Sequence, residues 1–291
     1  MDGVLLVDKP SGPTSFDVVR RTRKLAATKR VGHTGTLDPL ASGLLTVCLG
    51  THTRLVPYLM ESEKRYEALV SLGAATDTDD SEGEVIARAD VPPLTREIVE
   101  AALGRFAGEI SQLPPAYSAL KIDGQPAYER ARRGEEVAIA PRLVRIYGID
   151  LVAPEPFALR LDVRCGAGTY IRSLARDLGA ALGTLGHIEA LRRTEGGGFR
   201  VDEAIRFDDL EPLAAKGALE GRLLKGTACL RHMPQLVLND EDAAAIACGR
   251  SIEIPPKGVF SRAALLAPDG ALLAIGRAEG SRLVCERGFP R

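Results

Sequence analysis

The sequence has no long hydrophobic run. Near its N-terminus only residues 4–7 are continuously apolar, whereas a membrane-spanning helix needs about 20 such residues and a signal peptide needs an apolar core behind a basic start. We therefore expect a soluble globular protein with no membrane partner and a cytoplasmic location. The 291 residues, 45% of them hydrophobic, can bury a substantial core and suggest one large domain or a large domain with a small one.

Cysteine pairs are also missing. The cysteines are odd in number and scattered, without a Cys-x-x-Cys or Cys/His spacing that could hold zinc; they are Cys48, Cys165, Cys229, Cys248 and Cys285. Residues 76–84 are rich in acids, but an EF-hand counted from Asp77 would need Gly and Glu where Glu82 and Arg88 stand. We expect reduced thiols, a polar hairpin at residues 76–84 and no metal.

An excess of one sign of charge is absent as well. The formal net charge of −1 argues against a protein that coats nucleic acid nonspecifically, because phosphate binding depends on cationic charge and counterion release. Basic residues are nevertheless clustered at residues 20–24 and 29–30, at Arg130, Arg132 and Arg133, at Arg142 and Arg145, and at Arg192 and Arg193. Each cluster alone is typical of a solvated helix face. If folding brings them to one side, they form a track for a phosphate backbone.

The apolar pattern predicts a mixture of strands and helices. Strands are indicated at residues 4–7, 44–49, 64–72, 85–87, 143–152 and 157–165. Helices are indicated from Thr14 or Ser15 to about Ala27, from Thr95 to about Phe106, and from Thr169 to about Leu182. No Walker A phosphate loop occurs in the chain.

The pattern changes in two places. Residues 114–142 are rich in proline, glycine and charge, which predicts a long excursion of the kind that often has a function. Beyond residues 226–235, one short helix and strands near residues 263–266, 272–275 and 283–285 indicate a small β-rich unit.

One acid is surrounded by glycines within residues 32–45, Gly-His-Thr-Gly-Thr-Leu-Asp-Pro-Leu-Ala-Ser-Gly-Leu-Leu. Pro39 disfavours a helical backbone at Asp38, and the glycines permit turns that other residues resist. The Asp38 carboxylate is thus held on an irregular segment in front of a buried strand, an arrangement suited to catalysis. Spacing alone favours the plainer interpretation, a surface turn that begins with an Asp-Pro pair.

Arg172 breaks a local rule. It lies in the first turn of a predicted amphipathic helix, where a cation opposes the helix dipole, and the residues three and four positions on are Ala175 and Arg176. Because such exceptions tend to mark functional sites, we infer a carboxylate partner from elsewhere in the chain. The alternative is that the stem of Arg172 covers apolar surface while its head reaches water.

The segment around Asp38 resembles, position for position, the motif G-H-x-G-x-L-D-P-x-A-[ST]-G-x-L of the TruB family of tRNA pseudouridine-55 synthases. The resemblance extends through residues 3–15, 64–83, 117–121 and 168–172. It implies an α+β fold, in which a large mixed, mainly antiparallel sheet is flanked by helices. It also implies a catalytic domain at residues 1–228, with a thumb-like RNA-clasping insertion at residues 114–142, and a small β-rich, PUA-like RNA-binding domain at residues 229–291.

The resemblance also implies roles for individual residues. Asp38 would be the catalytic nucleophile or base, paired with Arg172, whose guanidinium should hold the carboxylate ionised. Tyr66 would stack on the target uracil, although its apolar strand face favours a core tyrosine, and its hydroxyl could help to remove the C5 proton. His33 would fill the space left by the extruded base. The supporting and substrate-binding roles fall to Lys9, Tyr170, Leu191, Lys121, Arg130, Arg132 and Arg133.

The implied reaction is isomerisation of the T-loop uridine at position 55 of tRNA to pseudouridine. It requires no redox change, phosphate transfer or added atom, so we expect no cofactor. The resemblance implies tRNA as the partner, and we expect a monomer. A hydrolase built from Ser42, His33 and Asp38 is a poor alternative, because all three lie on one short segment and no Gly-x-Ser-x-Gly turn occurs. A tRNA-binding or folding chaperone, which would need neither Asp38 nor Arg172, stays open.

Overall fold

The computed structural model describes residues 1–118, 120–122, 125–126, 130, 133, 139–155, 157–254 and 260–289. Its α-helices are α1 (Ser15–Leu25), α2 (Val56–Met60), α3 (Arg96–Gly104), α4 (Ile171–Ala181), α5 (Leu210–Ala215) and α6 (Asp240–Ala247). Segments of 3-10 helix occupy Gly50–Leu55, Val201–Glu203, Phe207–Asp209, Glu220–Arg222 and Gly226–Cys229.

The strands are distributed along the whole described chain and are numbered in chain order. The first half of the chain contributes β1 (Gly3–Lys9), β2 (Val31–His33), β3 (Ser42–Leu49), β4 (Lys64–Leu72), β5 (Ala74–Thr76), β6 (Val85–Arg88), β7 (Gly108–Gln112), β8 (Lys121–Ile122) and β9 (Gln125–Pro126). The second half contributes β10 (Arg142–Glu155), β11 (Ala158–Cys165), β12 (Gly186–Gly196), β13 (Phe199–Arg200), β14 (Ile205–Arg206), β15 (Gln235–Val237), β16 (Ile252–Glu253), β17 (Arg262–Leu266), β18 (Leu272–Glu279) and β19 (Arg282–Gly288).

Ten strands form one large sheet. Its order is β14-β1-β3-β12-β4-β11-β10-β7, with β2 paired to β3 and β13 to β12. Two pairs run parallel, β1 with β14 and β3 with β12, and the others are antiparallel. The predicted α+β class with a mixed, mainly antiparallel sheet is therefore confirmed.

The main core lies between this sheet and the helices. On β4, alternate residues are buried as the period-2 pattern predicted. The predicted stripe of α4 is buried too, including Leu174, Ala175 and Leu178, because residues at this spacing share one helix face. Packing this stripe on the sheet fixes the orientation of α4, and with it the side chains of its first turn.

The C-terminal residues form a second, five-stranded sheet. Its order is β15-β17-β18-β19-β16, and this small β-rich unit has the PUA-like architecture that was expected. Ala264, Leu266 and Ile275 of this sheet share a hydrophobic cluster with Val4 and Leu44 of the large sheet. The two units are thus joined by apolar packing, and the boundary between residues 228 and 229 stays a prediction.

The ends of the predicted helices differ slightly from those observed, and α3 ends at Gly104 rather than Phe106. Helix α1 begins after Thr14, which forms a capping box with Asp17, and ends at Leu25 rather than Ala27. The backbone of Ala27 has φ +48°, a left-handed conformation that closes a helix. Helix α4 begins at Ile171 rather than Thr169, with Tyr170 as its N-cap, so Arg172 is its second residue.

The predicted excursion at residues 114–142 is described only in part. It contains the short antiparallel pair of β8 and β9. Arg132 lies outside the described residues, as does the side chain of Lys121. Arg133 donates from Nη2 to Gln125 Oε1 at 3.2 Å, and its backbone N–H donates to the carbonyl of Arg130 at 3.0 Å. The thumb-like role of this segment stays a prediction.

Candidate active site

The segment that presents Asp38 is tied to the N-terminal turn. It leaves β2 after His33 and enters β3 at Ser42. The buried hydroxyl of Ser15 accepts from the N–H of Leu37 at 2.8 Å and donates to the Leu37 carbonyl at 2.9 Å. The N–H of Gly12 donates to the Pro39 carbonyl at 2.8 Å. The backbone on both sides of Asp38 is therefore held by hydrogen bonds to one neighbouring segment.

Lys9 also links the N-terminal turn to the Asp38 segment. Its side chain is fully buried, and Nζ donates to the carbonyls of Pro10, Pro13 and Pro39 at 2.9, 2.7 and 3.3 Å. Burial lowers the pKa of Lys9 to about 8. Of the two roles expected for Lys9, substrate binding does not fit a side chain with no exposed surface. Support of the Asp38 segment fits its hydrogen bonds.

Close approach of β3 and β12 fixes the other end of the segment. Gly43 has φ +99°, and a Cβ on it would lie 2.2 Å from the backbone oxygen of Arg193. Only glycine fits there, both for conformation and for space. This contact sets the distance between the Asp38 segment and the central strands.

Asp38 meets Arg172. Arg172 Nε lies 3.0 Å from Asp38 Oδ2, and the Arg172 side chain is 4% exposed while that of Asp38 is 33% exposed. The N–H of Arg172 Nε is not aligned on that oxygen, so the contact is an ion pair rather than a linear hydrogen bond. The carboxylate partner inferred for Arg172 exists, and burial of the guanidinium excludes the alternative in which its head reaches water.

Three further acceptors surround the same guanidinium. Arg172 donates from Nη1 to the Thr78 carbonyl at 2.7 Å and from Nη2 to the Tyr117 carbonyl at 2.9 Å. Its Nη1 also lies 3.5 Å from Asp80 Oδ2, and both side chains are buried. Sequence reasoning missed Asp80, because residues 76–84 were interpreted only as a polar hairpin. Nothing in the local pattern distinguishes this acid from its neighbours Asp77 and Asp79.

Opposing effects act on the ionisation of Asp38. Burial raises the pKa of Asp38 above its ordinary value, the Arg172 guanidinium opposes this, and Asp80 adds to the rise. That Arg172 holds Asp38 ionised stays a prediction, because the direction of the pKa shift does not fix the protonation state of Asp38 at neutral pH. Arg172 acts with the expected sign, but desolvation and a second carboxylate outweigh it.

A cavity of about 650 Å³ opens beside this pair. Asp38, Arg172, Tyr66, Tyr170 and Leu191 all line it. Tyr66 belongs both to the cavity wall and to the main hydrophobic core, so the core interpretation and the functional one apply to the same side chain. Burial raises the pKa of Tyr66, and its phenol is therefore neutral over the physiological range.

Tyr170 is clamped by a residue that sequence reasoning missed. Gln112 is fully buried; its Oε1 accepts from the N–H of Tyr170 at 2.8 Å and its Nε2 donates to the Tyr170 carbonyl at 3.0 Å. The guanidinium of Arg142 lies 4.6 Å from the centre of the Tyr170 ring. These contacts fix the start of α4, and so the position of Arg172.

His33 lies in a second cavity, of about 660 Å³, which adjoins the first at Asp38 and Arg172. Its Nδ1 accepts from the N–H of Gly35 at 3.3 Å. Burial lowers the pKa of His33, which favours the neutral imidazole. Ser42 lines neither cavity and donates to the Leu191 carbonyl at 3.5 Å. The described geometry therefore does not assemble the Ser42, His33 and Asp38 hydrolase.

Both arginines of the Arg192-Arg193 pair have partners within the protein. Arg193 is buried and donates to the carbonyls of Leu44 and Gly35 at 2.7 and 3.1 Å. Arg192 forms a bidentate ion pair with Asp8 at 3.0 and 2.9 Å. Burial removes Arg193 from contact with a phosphate backbone, whereas the Arg192 side chain is 37% exposed, and its place in such a track stays a prediction.

The described part of the chain lacks two further kinds of feature. No group of three or more His, Cys, Asp and Glu side chains is arranged there to hold a metal ion. Within the same ranges, no helix has the length and apolar character needed to cross a bilayer.

Comparison with known families places the chain in a class of RNA-modifying enzymes, the pseudouridylate synthases. The sequence model of the TruB family pseudouridylate synthase N-terminal domain matches residues 23–171, and that of the tRNA pseudouridylate synthase B C-terminal domain matches residues 172–233. The chain belongs to the TruB family of pseudouridylate synthases.

Individual relatives agree with this assignment. The tRNA pseudouridine synthase B of Thiobacillus denitrificans is 43% identical over 289 residues, covering 99% of this chain and 95% of the relative. That of Azoarcus sp. is 47% identical over 261 residues, covering 89% and 85%. Among solved structures, a Cbf5-Nop10-Gar1 complex matches with TM-score 0.77 and 28% identity over 99% of this chain and 85% of that one. An H/ACA RNP bound to a substrate RNA containing 2′-deoxyuridine matches with TM-score 0.75 and 27% identity, with the same coverage.

Proposed function

We propose that this protein converts the T-loop uridine at position 55 of tRNA to pseudouridine, with Asp38 as the catalytic nucleophile or base. The observation that supports this most directly is the ion pair of Asp38 and Arg172 at a cavity walled by Tyr66. Relatives named tRNA pseudouridine synthase B cover nearly the whole chain, which supports tRNA as the substrate.

The reaction needs only groups that the cavity offers. The bond between uracil N1 and ribose C1′ breaks, the base turns, and C5 bonds to C1′; the proton leaves C5 and N1 takes one up. Electrons and atoms balance without an oxidant, a reductant or a co-substrate, so no cofactor is required. An ionised Asp38 can serve as nucleophile or base, and Arg172 holds it in place.

The uridine must leave its stack to reach Asp38. Base flipping costs a few kcal/mol, and stacking on an aromatic side chain returns about 1–3 kcal/mol per base. Tyr66 can supply that stacking because its ring lines the cavity with Asp38. His33, at the adjoining cavity, would fill the space that the base leaves.

The remaining parts of the chain would hold the tRNA. We assign residues 114–142, with Lys121, Arg130, Arg132 and Arg133, to a clasp on the RNA backbone, and residues 229–291 to a second RNA contact. The enzyme would act as a monomer on the T-stem loop. The basic composition of residues 130–133 supports the clasp, since cations bind phosphate.

A tRNA transcript with tritium at C5 of uridine tests the proposal. Wild-type protein should release one tritium per tRNA, and Asp38→Asn should bind the same tRNA and release none. Arg172→Ala should lose most of the release with a smaller effect on binding. Turnover by Asp38→Asn would contradict the role of Asp38. Binding without release by the wild type would leave a tRNA-binding chaperone as the function.

A further inference from the structure

The second cavity contains an exposed aromatic ring that the reaction does not use. Phe16 lines this cavity together with His33, Tyr117 and Asp38. It is 59% exposed in a chain with only seven Phe, six Tyr and no Trp. An exposed aromatic ring at a cavity that reaches Asp38 offers a face on which a base can stack.

The ring is held at a fixed position relative to Asp38. Phe16 is in the first turn of α1, which the capping box of Thr14 and Asp17 closes. The preceding residue, Ser15, is buried and makes both of its hydrogen bonds to Leu37, the residue before Asp38. Phe16 therefore has little freedom to move relative to the catalytic segment, and its exposure is not that of a loose surface loop.

Basic side chains accompany the ring along α1. Residues 16, 20 and 23 share one helix face because they are spaced by about one turn. The guanidinium of Arg23 lies 5.7 Å from the centre of the Phe16 ring and donates to the carbonyl of Val31 at 3.1 Å, on the strand that ends at His33. The side chain of Arg20 is 73% exposed and pairs with Asp17 at 2.8 Å, a surface contact that adds little energy.

We propose that Phe16 is a stacking platform for a nucleobase that flanks the target uridine in the substrate RNA. The proposal rests on the proposed function. The two cavities share Asp38 and Arg172. When the target uridine occupies the first cavity, the continuous RNA backbone therefore brings the flanking nucleotides to the second cavity. An aromatic face with adjacent arginines fits an unstacked base and its phosphate, since stacking and cationic charge together bind single-stranded RNA. Phe16 is thus a positioning residue that holds the RNA while chemistry occurs at Asp38.

The test combines side-chain and base deletions in a binding cycle. The variants are Phe16→Leu, Phe16→Ala and Phe16→Tyr, and the control is Phe157→Leu. Phe157 is 67% exposed and lies beside the start of β11, at the end of that strand farthest from the cavity-lining residues 166–172. The ligands are a synthetic T-stem loop and copies in which each base flanking the target uridine is replaced, one at a time, by an abasic residue.

Phe16→Leu and Phe16→Ala should bind the intact stem loop roughly 5- to 150-fold more weakly, the effect of losing one stacked base. Phe16→Tyr and Phe157→Leu should bind like the wild type. With one of the abasic ligands, the wild type should bind as weakly as Phe16→Leu binds the intact stem loop. The same abasic ligand should not weaken binding by Phe16→Leu any further, and this result identifies the stacked base.

Two results would overturn the platform. One is a loss in Phe16→Leu that is equal on the intact and all abasic ligands, which would mean that Phe16 supports the fold. The other is binding by Phe16→Leu that equals binding by Phe157→Leu. Because the cycle measures affinity, it is independent of turnover: failure of the wild type to release tritium would contradict the proposed function and leave the binding cycle interpretable.

Discussion

Arg172 lies between two carboxylates, with Nε 3.0 Å from Asp38 Oδ2 and Nη1 3.5 Å from Asp80 Oδ2. One guanidinium therefore orients a partly exposed acid at the cavity and neutralises a buried one behind it. The second acid makes the first harder to ionise, because like charges disfavour each other. Burial and Asp80 together raise the pKa of Asp38 against the effect of Arg172.

The pH dependence of the reaction should show this arrangement. Because the Asp38 pKa is raised, the ionised form disappears as pH falls through a value above that of a free aspartate, about 3.9. The acid limb of kcat/KM should lie above that value. Asp80→Asn should move the limb to lower pH, since it removes a charge that raises the pKa. Tritium release measured across pH tests this, and a limb that moves upward in Asp80→Asn would contradict it.

The Gln112 clamp on Tyr170 should contribute to both stability and rate. Gln112→Leu leaves the N–H and carbonyl of Tyr170 without these partners, and an unsatisfied buried group costs about 1–3 kcal/mol. We expect a lower free energy of unfolding in urea and a lower kcat, with KM changed less, because Arg172 follows Tyr170 closely. Gln112→Glu keeps the acceptor for the Tyr170 N–H, so its free energy of unfolding and its kcat should lie between those of the wild type and Gln112→Leu. Unchanged unfolding by Gln112→Leu would show that the clamp is dispensable.

Two glycines allow a matched test of the packing beside the Asp38 segment. Gly43→Ala places a Cβ 2.2 Å from the Arg193 oxygen at φ +99°, whereas at Gly217, with φ +68°, a Cβ meets nothing within 4 Å. Gly217→Ala should cost only the backbone strain, about 1 kcal/mol. Gly43→Ala should cost several times more or prevent folding. Thermal unfolding compares the two, and equal losses would show that strands β3 and β12 can separate freely.

Salt dependence tests the assigned RNA clasp. Replacing Arg130, Arg132 and Arg133 with alanine should weaken tRNA binding, and the slope of log K against log salt should become less negative by roughly 0.7–0.9 for each phosphate that the variant no longer binds. Filter binding across a range of salt concentrations measures the slope. A slope equal to that of the wild type would exclude these residues from phosphate binding.

Much of the fold could be predicted because its determinants are local. Thr14 caps α1, and the alternation in β4 reappears as alternate burial. The helical stripe of α4 is buried as well. In each case a side chain acts on backbone or on neighbours one turn or one strand position away, so a short window of sequence contains the cause.

The site was predictable where a residue was locally anomalous. Asp38 stood out between glycines and before proline, and Arg172 stood out as a cation in a first helical turn with no acid nearby. Asp80 and Gln112 had no such anomaly, since one is an acid among acids and the other a polar residue on a strand. Arg193 looked like part of a surface cluster because its burial depends on segments distant in sequence, which include Leu44 and Gly35.

The order of residues alone determined which main elements form, and which acid and which arginine are out of place, because these follow from backbone preferences and periodicity. Only the tertiary structure decided that the two meet, that Asp80 joins them and that the pKa of Asp38 rises rather than falls. Ionisation depends on distance and burial, and both arise when the sheet brings together segments far apart in the chain.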